Sequence, residues 1–171
     1  MSVPPALRRA LPVVILIVIL DQLTKLWIVS HFYLGFEREV VPGLLRLVHT
    51  RNRGVAFGML GSSGPVVQIG LLVLVIVVVA FVIWQLAKGG AQGVAAFGLS
   101  LVLGGAIGNL VDRLLRGEVV DFILLYLVTG GRELTWPAFN VADSAISVVA
   151  CLVILAEVLQ LGRRARATGS D

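Results

Sequence analysis

The sequence predicts a membrane-embedded all-α protein of four transmembrane helices, with a small extracytoplasmic β-sheet between helices 1 and 2. Three features carry that reading: a composition too apolar for water, four apolar runs of spanning length, and one intervening stretch that alternates in polarity. Of 171 residues, 58% are hydrophobic and 14% charged, with a mean hydropathy of +0.98. A soluble domain carries about 25% charge, so this chain lacks the polar surface to cover a globule in water. Disorder, coiled coils and soluble α/β folds are excluded with it. One membrane domain over residues 1–171 suits the length.

The first span is residues 10–29. Arg8-Arg9 followed by apolar sequence looks like the start of a secretory signal peptide. No small-x-small cleavage site follows, however, and Asp21-Gln22-Leu23-Thr24-Lys25 runs on into Leu26-Trp27-Ile28-Val29, so the segment is read as an uncleaved helix. Residues 31–65 differ in texture: Val40 to Thr50 alternates partly between apolar and polar around Pro42-Gly43, which predicts short strands on the membrane surface. Residues 66–87, 93–111 and 141–161 are the remaining spans. At about 1.5 Å per residue, each crosses a hydrocarbon core of about 30 Å. Helices are required because open strands in lipid leave backbone groups unsatisfied, and the runs lack the alternation of a barrel.

Four spans put both termini on one side, with Arg8, Arg9, Lys88, Arg163, Arg164 and Arg166. The Arg residues of the other side are spread through the two long segments, 31–65 and 112–140. Short flanks weigh most in orientation, so the termini are expected in the cytoplasm and the long segments outside. The net charge of +4 fits such flanks rather than a nucleic-acid groove. Cys151 is a lone thiol in an apolar run, and His31 and His49 lack the spacing of a zinc motif. No metal or other cofactor is expected.

With only ten acidic residues, each position is informative. Asp21 and Lys25 are one helical turn apart and can pair inside the bundle. Glu157, near the cytoplasmic end, is expected to snorkel or to meet Arg163 or Arg164. Asp112, Asp121 and Asp143 are far apart in sequence, yet the third helix exits near the first and the fourth enters near the last. All three therefore reach one membrane face. Asn109 and Asp112, like Asn140 and Asp143, are three residues apart on one helical face. For the second pair, helix capping is an alternative account, and Arg113 and Arg116 can serve a salt-bridge cluster or lipid headgroups. Capping does not explain Asp121, which Val119, Val120, Phe122 and Ile123 flank. Desolvation there raises a carboxyl pKa, and a second carboxylate close by raises it further. Two such groups can share a proton, one acting as base toward water and the other as acid toward a carbonyl oxygen. The spacing alone leaves Asp112 in contention for that pair.

Four segments then resemble the bacterial lipoprotein signal peptidases (signal peptidase II), which are membrane aspartic proteases. They are Asp21-Gln22-Leu23-Thr24-Lys25-Leu26-Trp27; Asn52-Arg53-Gly54-Val55-Ala56-Phe57-Gly58; Gly104 through Asp112-Arg113 and on to Gly117-Glu118-Val119-Val120-Asp121-Phe122; and Phe139-Asn140-Val141-Ala142-Asp143-Ser144-Ala145-Ile146. The resemblance implies that Asp121 and Asp143 are the catalytic pair. It implies that Asn52, Gly54, Asn109, Asp112, Arg113 and Asn140 line or brace the site, and that Asp21 and Lys25 support it. It also implies a sheet that cradles substrate, and a substrate that is a prolipoprotein with a diacylglyceryl-modified Cys, cut on the amino side of that Cys. Signal peptides of such precursors and membrane lipid are the expected partners, nucleic acid is not, and the chain is expected to act as a monomer. Two rival classes remain open on the residues alone. A proton-coupled transporter would use Asp21 in mid-span, and an assembly or lipid-binding subunit would use the polar groups only for packing.

Overall fold

A computed structural model describes residues 4–54, 65–89 and 91–168. The chain forms α1 (Pro5–His31), β1 (Glu37–Val41), β2 (Leu45–Asn52), α2 (Pro65–Ala87), α3 (Gly93–Arg116), β3 (Val119–Thr129), β4 (Arg132–Thr135) and α4 (Val141–Thr168). Helices α1, α2 and α3 are long and apolar enough to cross a membrane, and α4 carries a shorter apolar stretch over Val141–Ile154. Their outward faces, with Leu16, Leu23, Ile69, Val73 and Val77, are bare apolar surface suited to lipid rather than water.

Three of the helices run beyond the apolar limits read from the sequence. Pro5 opens α1 at a position where a missing N–H costs nothing. Helix α3 continues past Asp112 to Arg116, where Gly117 adopts a left-handed conformation (φ 75°) and stops it. Asp112 therefore sits inside a helix and not at its exit. Helix α4 carries on through the basic residues to Thr168, because Arg and Ala favour helix as strongly as Leu does. The expected contact of Glu157 with Arg163 or Arg164 lies outside the described side chains, as do Val55 to Gly58 of the second matching segment.

Helix α3 occupies the centre, packed against α1, α2 and α4. Its glycines make that possible. A Cβ on Gly104 would lie 2.8 Å from the Ile17 Cβ, and one on Gly108 would lie 2.7 Å from a carboxylate oxygen of Asp21. One on Gly105 would drive into the Ala142 carbonyl. Gly105→Ala is therefore expected to separate α3 from α4 and cost about 1–3 kcal/mol of stability, read as a lowered melting temperature in detergent. A melting temperature equal to wild type would contradict the close approach. Ala10, Val14, Val82, Leu86 and Leu103 form one apolar cluster in the bundle, and Ile28, Val120 and Phe122 form another beneath the sheet.

The sheet expected between helices 1 and 2 is present and is larger than the sequence shows. It does not belong to the segment between helices 1 and 2 alone: its order is β1-β2-β3-β4, with the last two strands contributed by the segment between α3 and α4. β1 and β2 form a hairpin turning at Pro42-Gly43, and β3 and β4 turn at Gly130-Gly131, where both residues have positive φ as a two-residue hairpin requires. Between the hairpins β2 pairs antiparallel with β3, setting Thr50 opposite Asp121 and Asn52 opposite Val119. The Arg46 guanidinium, from β2, ties all four strands together, meeting Glu37 on β1 at 2.9 Å and Glu133 on β4 at 2.6 Å while lying over the Tyr126 ring of β3.

Candidate active site

Asp121 and Asp143 are brought together by backbone pairing. Two residues after Asp121, Ile123 exchanges hydrogen bonds with Phe139, at 2.9 Å in each direction. That pairing lays the entry to α4 along β3 and delivers Asn140 to Asp121. Asn140 is fully buried, and its Nδ2 donates to an Asp121 carboxylate oxygen at 2.7 Å. Its Oδ1 accepts from the Asp143 N–H at 2.9 Å, and its own N–H donates back to the Asp143 carboxylate at 3.3 Å. This is the reciprocal arrangement of a capping box. Capping and site formation, alternatives on the sequence, are thus one geometry: Asn140, which starts α4, also bridges the two carboxylates, its Nδ2 on Asp121 and its backbone N–H on Asp143.

Behind this pair lies a polar hub. Lys25 is fully buried and places its ammonium 2.7 Å from Asp21, 2.9 Å from Asp112 and 3.0 Å from the Asn109 Oδ1, matching three donors to three acceptors. Each partner then reaches forward. Asp21 accepts the Ala142 N–H at 3.0 Å, and Asp112 accepts the Val120 N–H at 3.1 Å. The residue preceding each member of the pair is thereby pinned to one of the two carboxylates on Lys25. Asn109, its oxygen held by Lys25, points its Nδ2 at Asp143, 2.8 Å away. Asp112 also binds Arg116 and receives Gln22 at 3.2 Å, so both its oxygens are occupied and no part of it is exposed.

Asn52, at the end of β2, donates to Asp121 at 3.2 Å and holds the Gly54 N–H at 2.9 Å. Arg113 reaches across from α3 to the Gly54 carbonyl at 3.1 Å and to the Asn109 carbonyl at 3.2 Å. These residues border a cleft of about 470 Å³ that contains Asp121 and Asp143 and is walled by Val119, Leu125, Trp136, Phe139 and Ile146. Burial, reinforced by the Asp143 charge, pushes the Asp121 carboxyl up to about 7 against the hydrogen bonds from Asn52 and Asn140. All ten residues singled out from the sequence thus fall in one connected network. Asp121, Asp143, Asn52, Asn109 and Arg113 line the cleft, while Asp112, Asp21 and Lys25 stand behind it.

Several participants escape sequence reasoning. Gln22 donates to Asp21 at 3.1 Å, to Asp112 and to the Gly108 carbonyl, and accepts from Arg116 at 3.0 Å. Its place beside Asp21 was the only available signal. Glu118, whose carboxylate receives Arg51 at 2.7 Å and Arg53 at 2.9 Å, is held below the ordinary carboxylate range chiefly by the Arg51 hydrogen bond. Nothing local in the sequence joins those three.

Comparison with known proteins agrees with this architecture. The family model described as Signal peptidase (SPase) II matches residues 13–159. The lipoprotein signal peptidase of Cupriavidus necator is 43% identical over 149 residues, covering 87% of this chain and 82% of its own. That of Solibacter usitatus is 38% identical over 156 residues, covering 88% and 92%. A solved bacterial membrane enzyme superposes with a TM-score of 0.75 at 30% identity, over 91% of this chain and 90% of that one. A second gives a TM-score of 0.69 at 32% identity, over 86% and 91%. With a helical membrane domain, a four-stranded sheet and this similarity along nearly its whole length, the chain belongs to the signal peptidase II family of peptidases.

Proposed function

We propose that this chain is an aspartic endopeptidase of the bacterial cytoplasmic membrane that removes signal peptides from diacylglyceryl-modified prolipoproteins, cutting on the amino side of the lipidated Cys. The observation that carries the aspartic reading is the Asp121–Asn140–Asp143 bridge in an apolar cleft. Asp121, 2% exposed, holds the shared proton, and Asp143, more open to the cleft, is the base. Water gives its proton to Asp143 as its oxygen attacks the carbonyl carbon of the residue before the Cys, while Asp121 protonates the carbonyl oxygen. Collapse of the tetrahedral intermediate breaks the C–N bond, and the amine leaves with a proton from the pair. Asn140, buried and fully engaged, positions the carboxylates. Asn52 and Arg113, on the cleft wall, are the groups that meet substrate backbone.

The same reading places both termini in the cytoplasm and the cleft at the outer face, with residues 1–171 acting as one monomeric domain without a cofactor. The transporter alternative loses its main support, because Asp21 is sealed against Lys25 with no exposed surface.

The test is an assay of purified protein in detergent. A diacylglyceryl-modified precursor is expected to be cut once, before the Cys, and its unmodified counterpart to stay intact. The pH dependence follows from the shared proton. Below about 7 Asp121 keeps it, and above that both carboxylates are charged, so kcat/KM falls with an alkaline limb near 7 that belongs to the pair. Failure to cut any modified precursor, or a profile flat from pH 6 to 9, would overturn the reading.

A further inference from the structure

A second, larger cavity of about 870 Å³ adjoins the first and shares with it Asn52, Asp121, Pro137 and Ala138, so the Asp121 carboxyl sits where the two meet. Their walls differ in chemistry. The smaller surrounds Asp121, Asp143, Asn109 and Arg113 with largely apolar surface from Val119, Leu125, Trp136, Phe139 and Ile146, whereas the larger presents Glu37, Thr50, Arg51, Arg53 and Glu118. A lipidated precursor has the same asymmetry about its scissile bond: an apolar signal helix and two acyl chains close to the cut, and a polar mature chain beyond the Cys.

The charged groups of the larger cavity are unevenly used. Glu118 has both oxygens occupied, one by Arg51 and the other by Arg53, and its side chain is 12% exposed. The side chains of Arg51 and Arg53 are 39% and 64% exposed. Each guanidinium carries five N–H donors and spends one of them on Glu118 in this contact. Next to Asn52, therefore, a saturated acceptor lies beneath two cations that have donors left over among the described residues. Of the other two acids on its wall, Glu37 lies on β1 opposite Val48 and meets Arg46 at 2.9 Å, a cation it shares with Glu133, and Asp121 is the carboxyl common to both cavities. Cationic donors of this kind recognise carboxylates and peptide carbonyls.

We propose that this cavity is the subsite for the mature-chain residues immediately after the lipidated Cys, and that Arg51 and Arg53 make it favour acidic side chains there. The inference rests on the proposed peptidase reaction and adds a specificity determinant on the leaving side of the cut. The experiment uses three precursors with one signal peptide and one diacylglyceryl-Cys, differing only in the next two residues: Asp-Asp, Asn-Asn or Lys-Lys. Relative to the neutral precursor, the acidic one is expected to show a KM about threefold lower and the basic one a KM about threefold higher, the range of solvent-exposed ion pairs. The neutral-to-acidic KM ratio should shrink toward one in Arg53→Gln, which leaves Glu118 paired with Arg51. It should widen in Glu118→Gln, which releases both cations while keeping a side chain of the same shape.

Melting in detergent identifies any variant that has not folded, and the wild-type comparison stands without the variants. Equal KM for all three precursors would overturn the subsite. An acidic preference unchanged in both folded variants would overturn its assignment to the two Arg. Absence of cleavage in all three is a different result, because it removes the peptidase reaction itself.

Discussion

Asp121→Asn and Asp143→Asn are each expected to lower kcat/KM on a diacylglyceryl-modified precursor by at least about 10³-fold, or about 4 kcal/mol of transition-state stabilisation. Asn cannot take a proton from water, nor can it share one with the remaining carboxylate. Neither substitution changes the shape of the site. At Asp121 the two oxygens accept from Asn140 and Asn52 respectively, and an Asn there offers one acceptor oxygen to two donors. That mismatch is worth about 1–2 kcal/mol of stability. Melting in detergent separates this modest loss from the kinetic one. Cleavage retained to within tenfold of wild type in a folded Asp143→Asn protein would show that the pair does not activate water.

The largest effect on stability is expected at Lys25. Lys25→Met removes a fully buried cation from between Asp21 and Asp112, and an uncompensated buried charge costs about 3–5 kcal/mol. The two acids are not equally exposed to that loss. Asp112 keeps Arg116, whereas Lys25 is the sole cation on Asp21 among the described residues. Lys25→Met/Asp21→Asn is therefore expected to melt higher than Lys25→Met, although it carries one more substitution. Activity should fall with the fraction folded and then further, because Asn109 loses the ammonium that aims its amide, and Asp21 loses the one that holds it against the Ala142 N–H. A Lys25→Met protein that melts as wild type would mean that the ammonium carries no charge balance in the bundle.

How much was legible in the sequence follows from which interactions are local. The spans are readable because charge is so scarce that each apolar run declares itself. The gathering of Asp112, Asp121 and Asp143 at one face follows from counting helices. The sheet is only half readable. Residues 40–50 alternate because the β1–β2 hairpin turns at a Pro-Gly pair and is partly open to water. β3 does not alternate: Val119 to Phe122 are all buried, and the strand continues through Leu124, Leu125, Leu127 and Val128. With the bundle beneath and exposed apolar residues further along, it reads as one apolar run whose partner, β2, lies far away in sequence. Spacing could not demote Asp112 either. Its saturation by Lys25, Arg116, Gln22 and the Val120 N–H depends on contacts between α1, α3 and β3. The link from Glu118 to Arg51 and Arg53 is hidden for the same reason, since it depends on cross-strand register.

The Asp21–Lys25 pair also bears on how the protein is built. The two residues are one turn apart on α1, so the charge within the apolar part of the first helix carries its own counter-ion as a neutral pair. The ammonium completes its coordination when α3 arrives with Asp112 and Asn109, and Asp21 then receives the Ala142 N–H at the start of α4. The cleft therefore needs the N-terminal turn of α4, and a chain that lacks α4 holds Asp121 without the Asp143 carboxylate. The proposed hydrolytic centre is complete only in a chain that carries all four helices.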